Sequence, residues 1–130
     1  MYAAAYYYNS DKRLKDNIVK IGSSLEKIKK LNGYTFDWKA DGKKDIGVIA
    51  QEVERVFPEL VGINESNGMK TVEYGNLVAP IIEAIKELAT KIEDTIKNYT
   101  DQQKEINMLK KENEQILQRL EILEKNHTVK

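Results

Sequence analysis

The residues of this sequence best suited to chemistry are a serine and a lysine, Ser10 and Lys15, in the hexapeptide Ser-Asp-Lys-Arg-Leu-Lys. A serine hydroxyl becomes a nucleophile when a base accepts its proton, and a neutral lysine amine can be that base. Burial and nearby positive charge, here from Lys12 and Arg13, favour the neutral amine. The spacing alone does not identify a catalytic pair, because a polar turn capped by Ser10 or Asp11 accounts for the same residues.

The five-residue spacing constrains how the two side chains could meet. In a regular helix, positions five apart lie well off a common face, and in a strand they point to opposite sides. A contact between Ser10 and Lys15 of one chain therefore requires a bend between them. Without such a bend, the lysine must come from a neighbouring chain.

The composition excludes several classes of function. Lys and Arg together number 21, as do Asp and Glu, so the net charge of zero argues against a nucleic-acid or membrane-surface binder that relies on bulk charge. The chain has no Cys and one His, His127, which argues against disulfides, a zinc site and a Ser-His-Asp triad. No apolar run is long enough to span a membrane, and the N-terminus lacks the pattern of a signal peptide. We therefore expect no cofactor, no metal, no nucleic-acid partner and no membrane partner.

An apolar heptad repeat runs from Val78 to His127 without a shift of register. It predicts a coiled-coil helix of roughly 75 Å, which cannot bury its apolar seam alone and therefore requires an oligomer. The alternative is a long antiparallel hairpin, but no Gly or Pro interrupts the run after Pro80. The seam positions are Val78, Ile85, Ile92, Tyr99, Ile106, Asn113, Leu120 and His127, and Ile81, Leu88, Thr95, Gln102, Leu109, Ile116 and Leu123.

The residue types along the seam bear on the number of helices. Ile at both kinds of seam position shifts the preference from dimers toward trimers or tetramers. Asn113 in the seam costs stability but fixes the register, and Glu105 and Lys110 are placed for an interchain ion pair in a parallel bundle. The sequence thus favours a parallel oligomer.

The residues before this helix predict a small α+β head. Ser23 and Glu26 fit a capping box that begins a short helix. Alternating residues 34–38 predict a half-buried strand paired with the apolar residues 46–50, and Gln51 to Phe57 predict a helix closed by Pro58. Asn67 and Gly68 predict a hairpin between residues 60–63 and 69–74. The chain is thus expected to contain the end of an upstream polypeptide or a linker (1–9), the head (10–76) and a coiled-coil stalk (77–130).

Four stretches of the sequence together carry a family resemblance. They are Ser10–Lys15, Gly33–Trp38, Ile46–Val61, and Val72–Val78 running into Glu83–Leu88. Over about residues 9 to 100 the chain resembles the peptidase S74 family, the intramolecular chaperones at the C-terminal ends of phage tail spikes, endosialidases and neck appendages, also found in myelin regulatory factor. The specific motif is Gly-Val-Ile-Ala-Gln-Glu-Val followed by Phe-Pro-Glu-Leu-Val. The neck appendage proteins of small Bacillus phages are the nearest group that these motifs suggest.

The resemblance implies a function that the periodicity does not predict. It implies a homotrimer with a parallel trimeric coiled coil, which helps an upstream β-rich fibre or appendage to trimerise and fold in the host cytoplasm during virion assembly. It also implies that the domain releases itself from the mature appendage as a single-turnover serine peptidase. The cleaved bond would be Asn9–Ser10, with Ser10 as nucleophile and Lys15 as general base.

Two other functions are compatible with the sequence. One is a structural trimerisation cap of the same fold that never cleaves, for which Ser10→Ala would change nothing. The other is a coiled-coil adaptor that binds partner helices through Ile82, Ala89 and Ile96 beside the seam. These three residues fit equally well in a wide seam that also packs the head, which we favour.

Overall fold

The computed structural model describes residues 7–129, so residues 1–6 of the predicted upstream segment lie outside the described part. The chain divides into two units, one ending at Glu83 and the other beginning at Ala84. The first unit contains two antiparallel hairpins, and the second consists of the continuing C-terminal helix.

The first hairpin pairs strand β1 (Tyr34–Asp37) with strand β2 (Lys44–Gly47), and the first residue of β1 lies opposite the last residue of β2. Strand β1 confirms the strand predicted at residues 34–38, although it ends one residue earlier. The ring of Phe36 packs edge-on against the ring of Trp38, at 5.1 Å between centroids. The partner strand lies two residues earlier than predicted, at 44–47 instead of 46–50. It ends early because the next helix already begins three residues after β2.

Helix α2 (Ala50–Val56) confirms the helix predicted for this stretch. Val53 is fully buried, and Phe57, directly after the helix, is also buried. Pro58 begins a 3₁₀ turn, as expected for a residue that cannot continue the preceding helix. The helix therefore supplies the centre of the small apolar core of the first unit.

The second hairpin pairs strand β3 (Val61–Ile63) with strand β4 (Lys70–Val72). Gly68 in the connecting loop has φ = +69°, a left-handed conformation that glycine adopts without a steric penalty. The hairpin prediction at Asn67-Gly68 is therefore confirmed.

Helix α1 (Ser24–Ile28) forms where a short helix was predicted, but its start differs from the prediction. Ser23 occupies the N-cap position with φ = +53°, and its side chain makes no capping hydrogen bond. An N-cap residue normally has an extended backbone, which aims its side chain at the first amides of the helix. The predicted capping role of Ser23 is wrong because its left-handed backbone does not provide that geometry.

Helix α3 (Val78–Thr128) is a single helix of 51 residues, preceded by a 3₁₀ turn at Tyr74–Leu77. Its continuity confirms the predicted long helix and shows that the alternative of an antiparallel hairpin within one chain is wrong. Pro80 lies within the first turn, where its missing N–H breaks no intrahelical bond. The aliphatic and aromatic seam positions are between 41% and 64% exposed in the single chain. The parallel trimeric coiled coil stays a prediction.

Candidate functional site

The structure brings Ser10 and Lys15 of one chain together. The Nζ atom of Lys15 donates a hydrogen bond to the Oγ atom of Ser10 at 2.7 Å. Both side chains are exposed in the single chain. The contact is therefore made within one chain, and the bend that the spacing required is present.

A single 3₁₀ turn, Lys12–Leu14, makes this bend. Asp11 caps the turn, since its carboxylate accepts from the backbone N–H of Arg13 at 2.9 Å. The N–H of Lys15 then donates to the carbonyl of Lys12 at 3.1 Å, which closes the turn. The backbone is extended at Asp11 and at Lys15, so the turn reverses the side-chain direction that an uninterrupted strand would impose.

Asp11 and Arg13 also form an ion pair within the segment that joins Ser10 to Lys15, the two residues of the candidate dyad. The guanidinium donates to both carboxylate oxygens, at 3.0 Å from Nε and 2.7 Å from Nη2. Hydrogen bonds from the side chain and the backbone of Arg13 hold the pKa of Asp11 below its ordinary value. The Asp11 carboxylate in turn raises the pKa of Arg13. Arg13 was expected to add positive charge around Lys15, but its charge is largely offset by Asp11.

Upstream of the dyad, Tyr8 contacts a glycine that precedes the long helix. A methyl group placed on Gly75 would lie 3.2 Å from both Cζ and Oη of Tyr8. Sequence reasoning missed this contact, because the two residues are far apart in the chain and neither belongs to a recognisable pair. The signal that could have pointed to it is the aromatic run before Ser10.

Tyrosine hydroxyls connect the motif stretches of the first unit. Tyr74 Oη accepts a hydrogen bond from the backbone N–H of Val48 at 3.1 Å. Tyr34 Oη donates to the Glu52 carboxylate at 2.8 Å, and this bond raises the pKa of Tyr34. These hydrogen bonds join β1 to α2, and the end of β2 to the turn before α3.

Within residues 7–129, no group of three or more His, Cys, Asp or Glu side chains is placed to hold a metal ion. Among the helices of these residues, none is long and apolar enough to cross a membrane.

Comparison with known proteins gives a family match that begins at Ser10. Residues 10–62 match the peptidase S74 family, described as chaperone of endosialidase. The chain is 34% identical over 97 residues to the long tail fiber protein Gp37 of Enterobacteria phage K3, covering 68% of this chain and 8% of that protein. It is 33% identical to Gp37 of Enterobacteria phage M1, covering 68% of this chain and 39% of that protein. The chain thus spans well under half the length of these relatives, and the nearness to Bacillus-phage neck appendages stays a prediction.

Proposed function

Because residues 10–62 belong to the peptidase S74 family of self-cleaving intramolecular chaperones, we propose that this chain is the chaperone of a phage fibre. It helps the β-rich fibre segment upstream of it to trimerise and fold, and then releases itself by cutting the bond between Asn9 and Ser10. The tail fibre proteins among its relatives support a fibre as the passenger. Assembly of the virion in the host cytoplasm is the setting that this function requires.

The observation that carries the proposal is the 2.7 Å contact between Lys15 Nζ and Ser10 Oγ. This distance lies within the range for direct proton transfer between a nucleophile and its base. In the structure, the amine donates to the hydroxyl. When the amine is neutral, the hydroxyl donates instead, over the same distance.

The proposed reaction has two steps. In the first, the neutral amine of Lys15 accepts the Ser10 proton while Oγ bonds to the carbonyl carbon of Asn9. The Asn9–Ser10 amide bond then breaks, and the departing Ser10 amine takes the proton from Lys15. In the second, water attacks the ester that joins Asn9 to Oγ. The products are an Asn9 carboxyl group, a free Ser10 hydroxyl and a new N-terminus at Ser10.

Assembly is proposed to control this reaction. In the single chain, Ser10 and Lys15 are both exposed to water. Neighbouring chains of the trimer would exclude water from the pair and favour the neutral amine. Cleavage would then follow correct assembly and leave a folded fibre that cannot return to its chaperone-bound state.

The exposed seam of α3 supports the homotrimer in this proposal. Burying each half-exposed Ile or Leu of the seam would contribute roughly 1 kcal/mol, so many such positions favour association strongly. Thr95, one of the polar seam positions, donates its hydroxyl to the carbonyl of Lys91 at 2.8 Å. Its polar atom is therefore already paired within its own helix and does not oppose burial.

The test is the intact mass, followed over time, of the chain joined to its natural upstream segment. The parent is expected to split between Asn9 and Ser10, whereas Ser10→Ala and Lys15→Ala stay whole. Lys39→Ala, which changes an exposed lysine in the β1–β2 turn, is the matched control and should cleave like the parent. Sedimentation of each variant should give about three times the mass of its own chain.

Two outcomes would contradict the proposal in different ways. A parent that stays whole while trimeric would identify a non-cleaving trimerisation cap. A Lys15→Ala variant that cleaves as fast as the parent in a folded trimer would refute the lysine as base and leave the self-cleavage itself in place.

A further inference from the structure

Tyr8 lies two residues before the proposed nucleophile, and its ring rests against Gly75. We propose that the surface at Gly75 is a docking site for the aromatic side chain of Tyr8, and that this docking holds the Asn9 carbonyl in place for attack by Ser10. This inference rests on the proposed function. It adds to that function an aromatic residue, Tyr8, which binds next to Gly75 and positions the bond to be cleaved.

A very small residue at position 75 lets the Tyr8 ring approach the backbone closely. A Cβ there would lie 3.2 Å from two atoms of the Tyr8 ring system and 3.5 Å from a third, Cε2, so the ring occupies the space next to the Gly75 backbone. Gly75 belongs to the 3₁₀ turn Tyr74–Leu77, a right-handed conformation that alanine can adopt. The glycine is therefore needed for the close approach of the ring, and not for an unusual backbone angle.

The two anchor points flank the bond to be cut. On one side, the Tyr8 ring lies against the turn before α3; on the other, Ser10 is held by Lys15 through the hydrogen bond of 2.7 Å. Asn9 is the single residue between them, and two consecutive Cα–Cα steps span at most about 7 Å. Fixing both neighbours therefore restricts the Asn9 carbonyl to few orientations, which is how positioning accelerates an intramolecular attack.

The preceding tyrosine provides an internal control. Tyr7 is 96% exposed, whereas Tyr8 is 71% exposed. The two residues have the same side chain and adjacent positions, but Tyr8 is the more buried of the two. A general requirement for aromatic character before Ser10 would make them equivalent, whereas docking at Gly75 makes only Tyr8 important.

The experiment measures the self-cleavage rate by intact mass in the trimeric chain with its upstream segment. Tyr8→Ala is expected to slow cleavage roughly three- to tenfold, because only part of the ring surface is buried. Tyr7→Ala should match the parent. Tyr8→Phe should restore most of the rate, because it loses only the Oη contact and keeps those of Cζ and Cε2.

A second variant tests the other side of the contact. Gly75→Ala should also slow cleavage, since its methyl group displaces the ring by a few tenths of an ångström. When Tyr8→Ala is already present, Gly75→Ala should have no further effect, because no ring remains to be displaced. Hydrogen exchange of the α2 amides and sedimentation should be unchanged in Tyr8→Ala, which separates positioning from loss of fold.

The results separate this inference from the proposed function. A folded, trimeric parent that does not cleave refutes the proposed function and this inference with it. A parent that cleaves while Tyr8→Ala and Tyr7→Ala have equal rates refutes the docking site alone. Independent, additive effects of Gly75→Ala and Tyr8→Ala would also refute it.

Discussion

Replacing Gly47 by alanine tests the packing of the last residue of β2 against the turn before α3. A methyl group at position 47 would lie 2.5 Å from Tyr74 Oη, closer than a carbon and an oxygen can approach. The hydroxyl must therefore move. It is also the acceptor for the Val48 N–H at 3.1 Å, so the movement breaks that hydrogen bond.

The expected cost follows from these two contacts. Loss of the hydrogen bond destabilises the fold by about 1 to 2 kcal/mol, since the Val48 amide loses its partner. Alanine in place of glycine in a strand returns about 0.5 kcal/mol. The net loss in free energy of unfolding should be about 1 kcal/mol.

The Tyr74→Phe background isolates the clash. This change removes the hydroxyl, and the next Tyr74 atom, Cζ, would lie 3.6 Å from the new methyl group, an ordinary contact. Gly47→Ala should then be neutral or stabilise the chain by about 0.5 kcal/mol. The two substitutions should therefore show a coupling of about 1 to 2 kcal/mol.

Urea unfolding at a fixed protein concentration measures the four variants, because association contributes to the apparent stability. Hydrogen exchange of the Val48 amide provides a direct measurement, and both single variants should lose protection there. Costs that add within about 0.5 kcal/mol would refute the reasoning. Unchanged protection of Val48 in Gly47→Ala would refute it as well.

Three further predictions concern the turn Lys12–Leu14 and the core. Asp11→Ala removes the cap of the turn that carries Lys15, so self-cleavage measured by intact mass should slow, and an unchanged rate would show that the turn forms without its cap. Hydrogen bonds from Arg13 lower the pKa of Asp11 in the folded chain. The stabilisation by this carboxylate is therefore present above the ordinary Asp pKa of about 3.9 and is lost as the pH falls through the lowered folded value. An NMR titration that places the pKa of Asp11 at or above the ordinary value would contradict this. Val53→Ala, at a fully buried site, should lower the free energy of unfolding measured in urea by about 2 kcal/mol. The control Val19→Ala, at a residue 83% exposed, should lower it by less than about 0.5 kcal/mol. Equal losses would contradict the central position of Val53 in the core.

The sequence by itself determined the elements that depend on local patterns. The heptad repeat predicted α3 almost to its end, because helical periodicity is expressed between residues three and four apart. Gly68 marked its loop, because only a small set of residues adopts a positive φ cheaply. The motif stretches identified the family and placed the candidate dyad at Ser10 and Lys15.

The sequence was weaker where several conformations are locally possible. It showed that Ser10 and Lys15 need a bend to meet in one chain, but it did not choose between a bend and a neighbouring chain. It assigned Ser23 a capping role by residue type, although the capping bond depends on a backbone angle that the residue type does not specify.

Only the tertiary structure decided the contacts between residues distant in the chain. The hydrogen bond between Tyr74 and Val48 joins residues separated by 26 positions in the sequence. Tyr8 and Gly75, which also approach each other, are separated by most of the sequence of the first unit. No spacing rule predicts such contacts, because they arise from the way that separate elements pack against a shared core. The contact within the candidate dyad is local: the sequence identified its two residues, whereas the structure showed that a capped turn brings their side chains to 2.7 Å within one chain, because residue type does not specify the backbone angles of that turn.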